Sequence, residues 1–233
     1  MIEVRPFGRL GRFKNEWLNA RHHFNFGNYR DPARTGFGKL MVWNDDEIAP
    51  GTGFDPHPHR DMEIVTYVRE GAITHQDSLG NEGRTVAGDV QVMHAGTGIT
   101  HAEYNKETRA TLLFQIWIRP DIYGVDPGWE ARTFPKEGSG LAVFASGRAQ
   151  DAGSGALALH ADAAVFAGTL KAGETIRFPI GAGRRLYLVP VNGTVTVNGI
   201  VAKQRDGVAI GDETEVSIAA AHPVELVAVD VAA

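Results

Sequence analysis

Two short stretches of the chain carry side chains of the kind that hold metal ions. In GTGFDPHPHRDMEIVTYVREG, residues 51–71, His57 and His59 stand at i and i+2 with Pro58 between them. In MHAGTGITHAEYN, residues 93–105, His101 and Glu103 repeat that spacing. On a β-strand such positions share one face and lie roughly 6.5–7 Å apart along the chain. Two pairs on neighbouring strands facing one barrel interior would converge on one ion from two sides. Three imidazole nitrogens and a carboxylate, without sulfur, suit Fe(II), Mn, Co, Ni, Cu or Zn, and an octahedral ion so held keeps two positions open for substrate or dioxygen. Pro58 has no backbone N–H, which fits a strand edge or a barrel mouth. Glu63 also lies an even number of residues from His59. Spacing alone therefore leaves open whether Glu63 or Glu103 supplies the carboxylate.

The elements that must position these groups read as strands. KLMVWN (39–44), MEIVTYV (62–68), GAITHQDS (71–78), DVQVM (89–93) and TLLFQIWI (111–118) are short apolar runs, and Gly- and Asn-containing turns fall between several of them. No long segment carries a 3.6-residue apolar period, so an all-β sandwich, barrel or jelly roll is expected. The second half echoes the first: residues 193–220 follow the strand, turn and hairpin order of residues 71–95. That implies two related β-domains, 1–135 and 136–233, the second entered through the Gly/Ser/Ala-rich stretch KEGSGLAVFASGRAQDAGSGA at 136–156, read as a linker. The second half has only His160 and His222, in neither an H-x-H nor an H-x-E pattern, so a metal site is expected in the first domain alone.

Composition removes several function classes. The 233 residues include no cysteine, which rules out disulfides, thiolate metal sites and cysteine nucleophiles and fits a reducing, cytoplasmic setting. A net charge of −5 without a long basic run gives no footprint for direct nucleic-acid binding. The longest uncharged run, 186–202, is broken by Pro190, asparagines and glycines, so no membrane span is expected, and the N-terminal segment lacks the apolar core of a secretion signal.

The residues carry a family resemblance. Gly51, His57, His59 and Glu63 are similar to the first cupin motif; Gly88, Ala95-Gly96, His101 and Asn105 are similar to the second. FNFGNYRDP, NDDEIAPGTGFDPHPHRDMEIVTYVREG, HQDSLGN and MHAGTGITHAEYN resemble the pirin family, especially bacterial members with quercetin 2,3-dioxygenase-type activity. The resemblance is dense over 15–135 and weaker beyond. It implies a bicupin of two packed jelly-roll barrels, with one metal, Fe(II) foremost, held in the N-terminal barrel by His57, His59, His101 and Glu103. It thereby selects Glu103 over Glu63, which becomes a supporting or structural group. It further implies a monomer that cleaves the heterocycle of a flavonol or similar small phenol with O2 and loss of carbon monoxide, Glu103 taking the substrate's hydroxyl proton. The alternative is a non-enzymatic, redox-sensing protein acting through a protein partner.

Other histidines are expected to be structural. His94 stands where the cupin motif has proline and should lie on the strand or turn before His101; His22 and His75 should be hydrogen-bonded barrel residues. Phe24, Phe26, Tyr29, Phe54, Phe114 and Trp117 are expected mainly as core, with some lining a cavity.

Overall fold

A computed structural model describes residues 1–134 and 139–233 as two β-barrels, with helical structure limited among those residues to three 3-10 turns. Each barrel pairs a seven-stranded sheet with a four-stranded one. In the first barrel the larger sheet runs Gly128–Arg132, Val90–His94, Glu63–Glu70, Thr111–Ile118, Leu40–Ile48, Leu18–His22, Gly11–Lys14. Its smaller sheet runs Gly53–His59, Ile99–Tyr104, Ala72–Asp77, Glu82–Val86. Gly53–His59 is thus an edge strand, where Pro56 and Pro58 cost no ladder bond on the open side.

The second barrel repeats the plan. Its larger sheet runs Ile2–Arg5, Gly207–Gly211, Arg184–Pro190, Val224–Ala232, Ala163–Leu170, Gly140–Ser146, Leu157–Ala158; its smaller one runs Thr175–Pro179, Glu215–Ala219, Thr194–Val197, Ile200–Lys203. The internal echo is structural: Ala72–Asp77 and Glu82–Val86 form a hairpin in the small sheet and lead into Val90–His94 of the large one. Thr194–Val197, Ile200–Lys203 and Gly207–Gly211 do the same.

Two features depart from the sequence-based division. The strand Ile2–Arg5 pairs with Gly207–Gly211, so the chain's first strand belongs to the second barrel's sheet. The stretch expected as a linker supplies a strand, Gly140–Ser146, paired along Ala163–Leu170, and the 3-10 turn Ala149–Asp151. Its first residues, 136–138, lie outside the described part. The small residues serve close packing: a Cβ on Gly168 would sit 2.0 Å from the carbonyl oxygen of Gly140.

The two large sheets pack back to back. Alternation on Thr111–Ile118 turns Phe114, Ile116 and Ile118 outward, where they join Trp43, Val65 and Val92 in one core with Val165, Ala167, Val189, Val227 and Val229 of the other barrel. Leu113 and Trp117 face the first barrel's interior. Both faces of this sheet are therefore buried, which explains its nearly continuous apolar runs.

The interiors differ sharply. The second barrel is filled by an apolar cluster that includes Leu186, Leu188, Val195, Val197, Val208, Ile210, Val216 and Ile218. In the first, two apolar clusters, one with Ile48, Val68 and Leu113 and one with Ile64, Met93 and Ile99, flank a polar layer of Thr66, Gln91 and Gln115 in cross-strand register. Among the described residues, this layer of hydrogen-bonding side chains sets the first barrel's interior apart from the second's.

Candidate metal centre

His57 and His59 come from the edge strand Gly53–His59, and His101 and Glu103 from its neighbour Ile99–Tyr104. His101 lies directly across from His57, while Glu103 is opposite Phe54, because a bulge sets Asp55 and Pro56 against Ala102 alone. The three imidazoles form a near-equilateral cluster, with ring centroids 4.5 Å apart for His57 and His101, 4.9 Å for His57 and His59, and 5.0 Å for His59 and His101.

Those spacings fit one cation. With a metal–nitrogen bond of about 2.1 Å, a ring centroid sits about 3.2 Å from the ion, so right-angle and tetrahedral placements separate centroids by roughly 4.5 and 5.2 Å. The donor atoms fit as well. Among the described residues, Nε2 of His59 and Nε2 of His101 are buried without a hydrogen-bond partner. His57 Nδ1 donates to the carbonyl of Asp55 at 2.7 Å, which leaves its Nε2 with a lone pair. Burial first, then His57, pushes the His59 imidazole down to about 4. Burial followed by His57, His59 and His75 pushes His101 down to about 2. Both rings are neutral at neutral pH, which is the ligating form.

A buried chain fixes the tautomer of His101. Asp77 Oδ1 accepts the backbone N–H groups of Leu79 (2.9 Å) and Asn81 (3.1 Å), and Oδ2 accepts His75 Nε2 at 3.0 Å and Asn81 Nδ2 at 2.9 Å. Burial favours the neutral acid, but the hydrogen bonds from His75, Asn81 and Leu79 outweigh it and hold Asp77 below the usual carboxylate range. Since Nε2–H of His75 serves the carboxylate, its Nδ1 is bare, and it faces Nδ1 of His101 at 3.4 Å. His101 must then carry its proton on Nδ1, leaving Nε2 free for a cation. The ring of His75 stacks on Trp129 at 4.9 Å and 6°. Gly83, the cross-strand neighbour of His75, makes room for that stack: a Cβ there would lie 2.1 Å from the indole.

Glu103 stands apart from the three-histidine group. Its carboxylate groups with His101 and His75 instead, their ligand atoms all within 4.8 Å of one another. Gln91 Nε2 donates to Oε1 at 2.6 Å and Gln115 Nε2 to Oε2 at 2.7 Å. Each amide is aimed by another donor, since Thr85 Oγ1 donates to the Gln91 carbonyl and Trp117 Nε1 to that of Gln115. Burial raises Glu103 to about 7, against the hydrogen bonds from Thr66, Gln91 and Gln115, which favour the anion. The group is poised to change protonation near neutrality.

A cavity of 470 Å³ is lined by Phe13, His22, Phe26 and Tyr29, and it is linked to the cluster through ring contacts rather than through a shared wall. Phe26 meets Trp117 edge-on at 5.5 Å, and Trp117 meets His59 edge-on at 4.9 Å. His22 is hydrogen-bonded as expected, Nδ1 donating to Asn44 at 2.8 Å. Phe24 and Phe114 are core. Glu63 and His94 form a separate group with His160. The sequence does not show the roles of Gln91, Gln115 and Trp129, which sit outside the quoted motifs, nor that of Asp77, which lies within HQDSLGN but acts through the pairing that brings His75 to His101.

The chain is similar to known proteins over its whole length. The Pirin family model matches residues 3–118, and the model for a quercetinase C-terminal cupin domain matches 144–231. A pirin-like protein of Caulobacter vibrioides is 56% identical over 234 residues, covering all of both chains. A quercetin 2,3-dioxygenase of Escherichia coli K12 is 43% identical, covering 99% of this chain and 98% of that one. The crystal structure of the bacterial pirin YhhW from Escherichia coli in complex with nickel(II) superposes with a TM-score of 0.94 at 42% identity, covering 100% and 99% of the two chains.

Proposed function

The chain belongs to the pirin family, and from that premise we propose that it is a metal-dependent dioxygenase opening the heterocycle of a flavonol such as quercetin with O2 and releasing carbon monoxide. The observation that carries the proposal is the convergence of three imidazoles, with the Nε2 atoms of His59 and His101 buried and free of hydrogen bonds, beside a buried carboxylate poised near neutrality.

His57, His59, His101 and Glu103 are the proposed ligands. A divalent transition ion, Fe(II) foremost and Mn, Co, Ni, Cu or Zn otherwise, supplies the Lewis acidity that makes a phenolic hydroxyl more acidic and the centre at which dioxygen reacts. The protein supplies position and proton handling. Phe26 and Tyr29 give a flat phenolic ring apolar and aromatic surface, and 470 Å³ lies within the range of small-ligand pockets, roughly 300–1,000 Å³. Glu103 takes the proton of the hydroxyl at the carbon next to the ring carbonyl, then returns it to the ester product. Gln91 and Gln115 keep the carboxylate aimed while its charge changes. In the overall reaction both atoms of O2 enter the product and one ring carbon leaves as carbon monoxide.

The test is oxygen uptake with quercetin by metal-stripped and reloaded protein, with carbon monoxide measured in the headspace. Turnover on the order of 1 s⁻¹ or faster, with one carbon monoxide per O2 and loss on stripping, supports the reading. Oxygen uptake without carbon monoxide overturns flavonol ring cleavage, and no metal-dependent uptake overturns the oxygenase altogether.

A further inference from the structure

We propose that Glu63, His94 and His160 form a second divalent-cation site at the junction of the two barrels, distinct from the histidine cluster. Glu63 opens the strand Glu63–Glu70, His94 ends Val90–His94 directly across from it, and His160 arrives from the second barrel between Leu157–Ala158 and Ala163–Leu170. Their ligand atoms all lie within 4.8 Å of one another. His94 Nδ1 is 2.6 Å from Glu63 Oε2, His160 Nδ1 is 3.5 Å from Oε1, and the two Nδ1 atoms are 3.3 Å apart. Donors sharing one ion at about 2.1 Å lie roughly 3.0–3.4 Å from each other. Two of the three distances are therefore close to a ligated arrangement, and the third reaches it by a shift of under about 1 Å. The imidazole centroids, 4.6 Å apart and nearly perpendicular, are spaced as in the histidine cluster.

Charge supplies the independent reason. Glu63 is 1% exposed, yet among the described residues no Lys or Arg pairs with it; its ion-pair partners are the two imidazoles, and the backbone N–H of His160 donates to Oε2 at 3.1 Å. A buried carboxylate needs a positive partner. Nδ1 of His94 meets the carboxylate by a hydrogen bond, and a divalent ion in place of that proton would satisfy the carboxylate and a lone pair on each imidazole together. Two nitrogens and one carboxylate suit a borderline ion such as Zn(II), Co(II) or Ni(II), with water in the remaining positions. The site opens to solvent, because the His160 side chain is 31% exposed and that of His94 15%. Because its ligands come from both barrels, the ion would fasten one to the other.

The experiment is equilibrium dialysis of metal-stripped full-length protein against Zn(II) and Co(II), with bound metal counted by mass spectrometry. The unaltered protein should hold two equivalents, His160→Gln one, His101→Ala one, and the double variant none. His160→Gln retains the backbone N–H bond to Glu63, and circular dichroism of the stripped protein reports whether it folds. If it does not fold, a two-step Co(II) absorption titration of the unaltered protein, compared with His101→Ala, decides the question. One equivalent in the unaltered protein, or two retained in His160→Gln, overturns the second site without touching the first.

Discussion

Replacing Asp77 by asparagine tests the tautomer chain with almost no change of shape. The introduced amide would keep one oxygen for the N–H groups of Leu79 and Asn81 that now reach Oδ1. Its NH2 would then face His75 Nε2 and Asn81 Nδ2, both donors today. His75 must move its proton to Nδ1 to avoid that clash, and Nδ1 lies 3.4 Å from the protonated Nδ1 of His101. His101 must in turn carry its proton on Nε2, the atom left free for a cation, or lose its hydrogen bond. Disturbing such outer partners typically weakens metal binding 10–100-fold, which is about 1.4–2.7 kcal/mol. Calorimetric titration of stripped protein with Ni(II) measures it, in a His160→Gln background so that one site is read. His75→Phe, which keeps a ring against Trp129 but removes the acceptor, should weaken binding by a similar factor. Asn81→Ala, which touches Asp77 but not His75, should fall well short of it. An Asp77→Asn affinity within twofold of the parent, in a folded protein, refutes the chain as the determinant of the His101 tautomer.

Other expectations follow from the same geometry. His101→Ala removes a ligand that is 2% exposed and should abolish both metal retention in the first barrel and turnover; retained stoichiometric metal in a His160→Gln background would count against the assignment. Glu103→Gln should cost at least tenfold in turnover, and the parent's rate should fall with acid as Glu103 takes up its proton, with a midpoint below 7 because the bound cation favours the anion. In metal-free protein the sign for stability is opposite. Burial raises the folded-state pKa of Glu103 to about 7, so stability should decline between about pH 4.5 and 7, by up to about 3 kcal/mol. Asp46, buried and also raised, acts in the same direction, and chemical denaturation of Glu103→Gln should show a flatter pH profile. Asp45, fully buried between Arg69 and the second barrel's Arg205, holds two charges across the junction. Asp45→Ala should cost about 3–5 kcal/mol, a fall in Tm of roughly 6–20 °C.

The histidine cluster was legible because strand alternation is local. An i, i+2 pair declares its shared face without knowledge of any neighbour, and turn residues marked several of the strands that bring the pairs together. What surrounds the cluster was not legible, because it depends on register. His75 reaches His101 only through the pairing of Ala72–Asp77 with Ile99–Tyr104, and Trp129 covers His75 only because the position opposite is Gly83. The sequence suggests a supporting or structural role for Glu63, but it gives no sign of His160, which lies 97 residues away on the other barrel. The stretch 136–156 misled for a compositional reason: glycine and alanine mark flexible linkers, yet they also mark backbones in close approach. Ala145, fully buried, and Gly147, whose Cβ would lie 2.1 Å from the carbonyl oxygen of Ala161, belong to the second kind.

The exchange of the strand Ile2–Arg5 into the far barrel has a consequence for how the chain matures. During synthesis these residues emerge early, but Ile2 has no partner until Ile210 has been made. Nascent chains tend to fold N-terminal units first, so the first barrel and its ion cage have time to assemble while this leading segment waits undocked. Its docking, together with the seating of Arg5 among Phe24, Phe37 and Tyr187, must wait until Gly207–Gly211 is free to pair. A bulky fusion placed ahead of residue 2 should therefore trouble the second barrel more than the first.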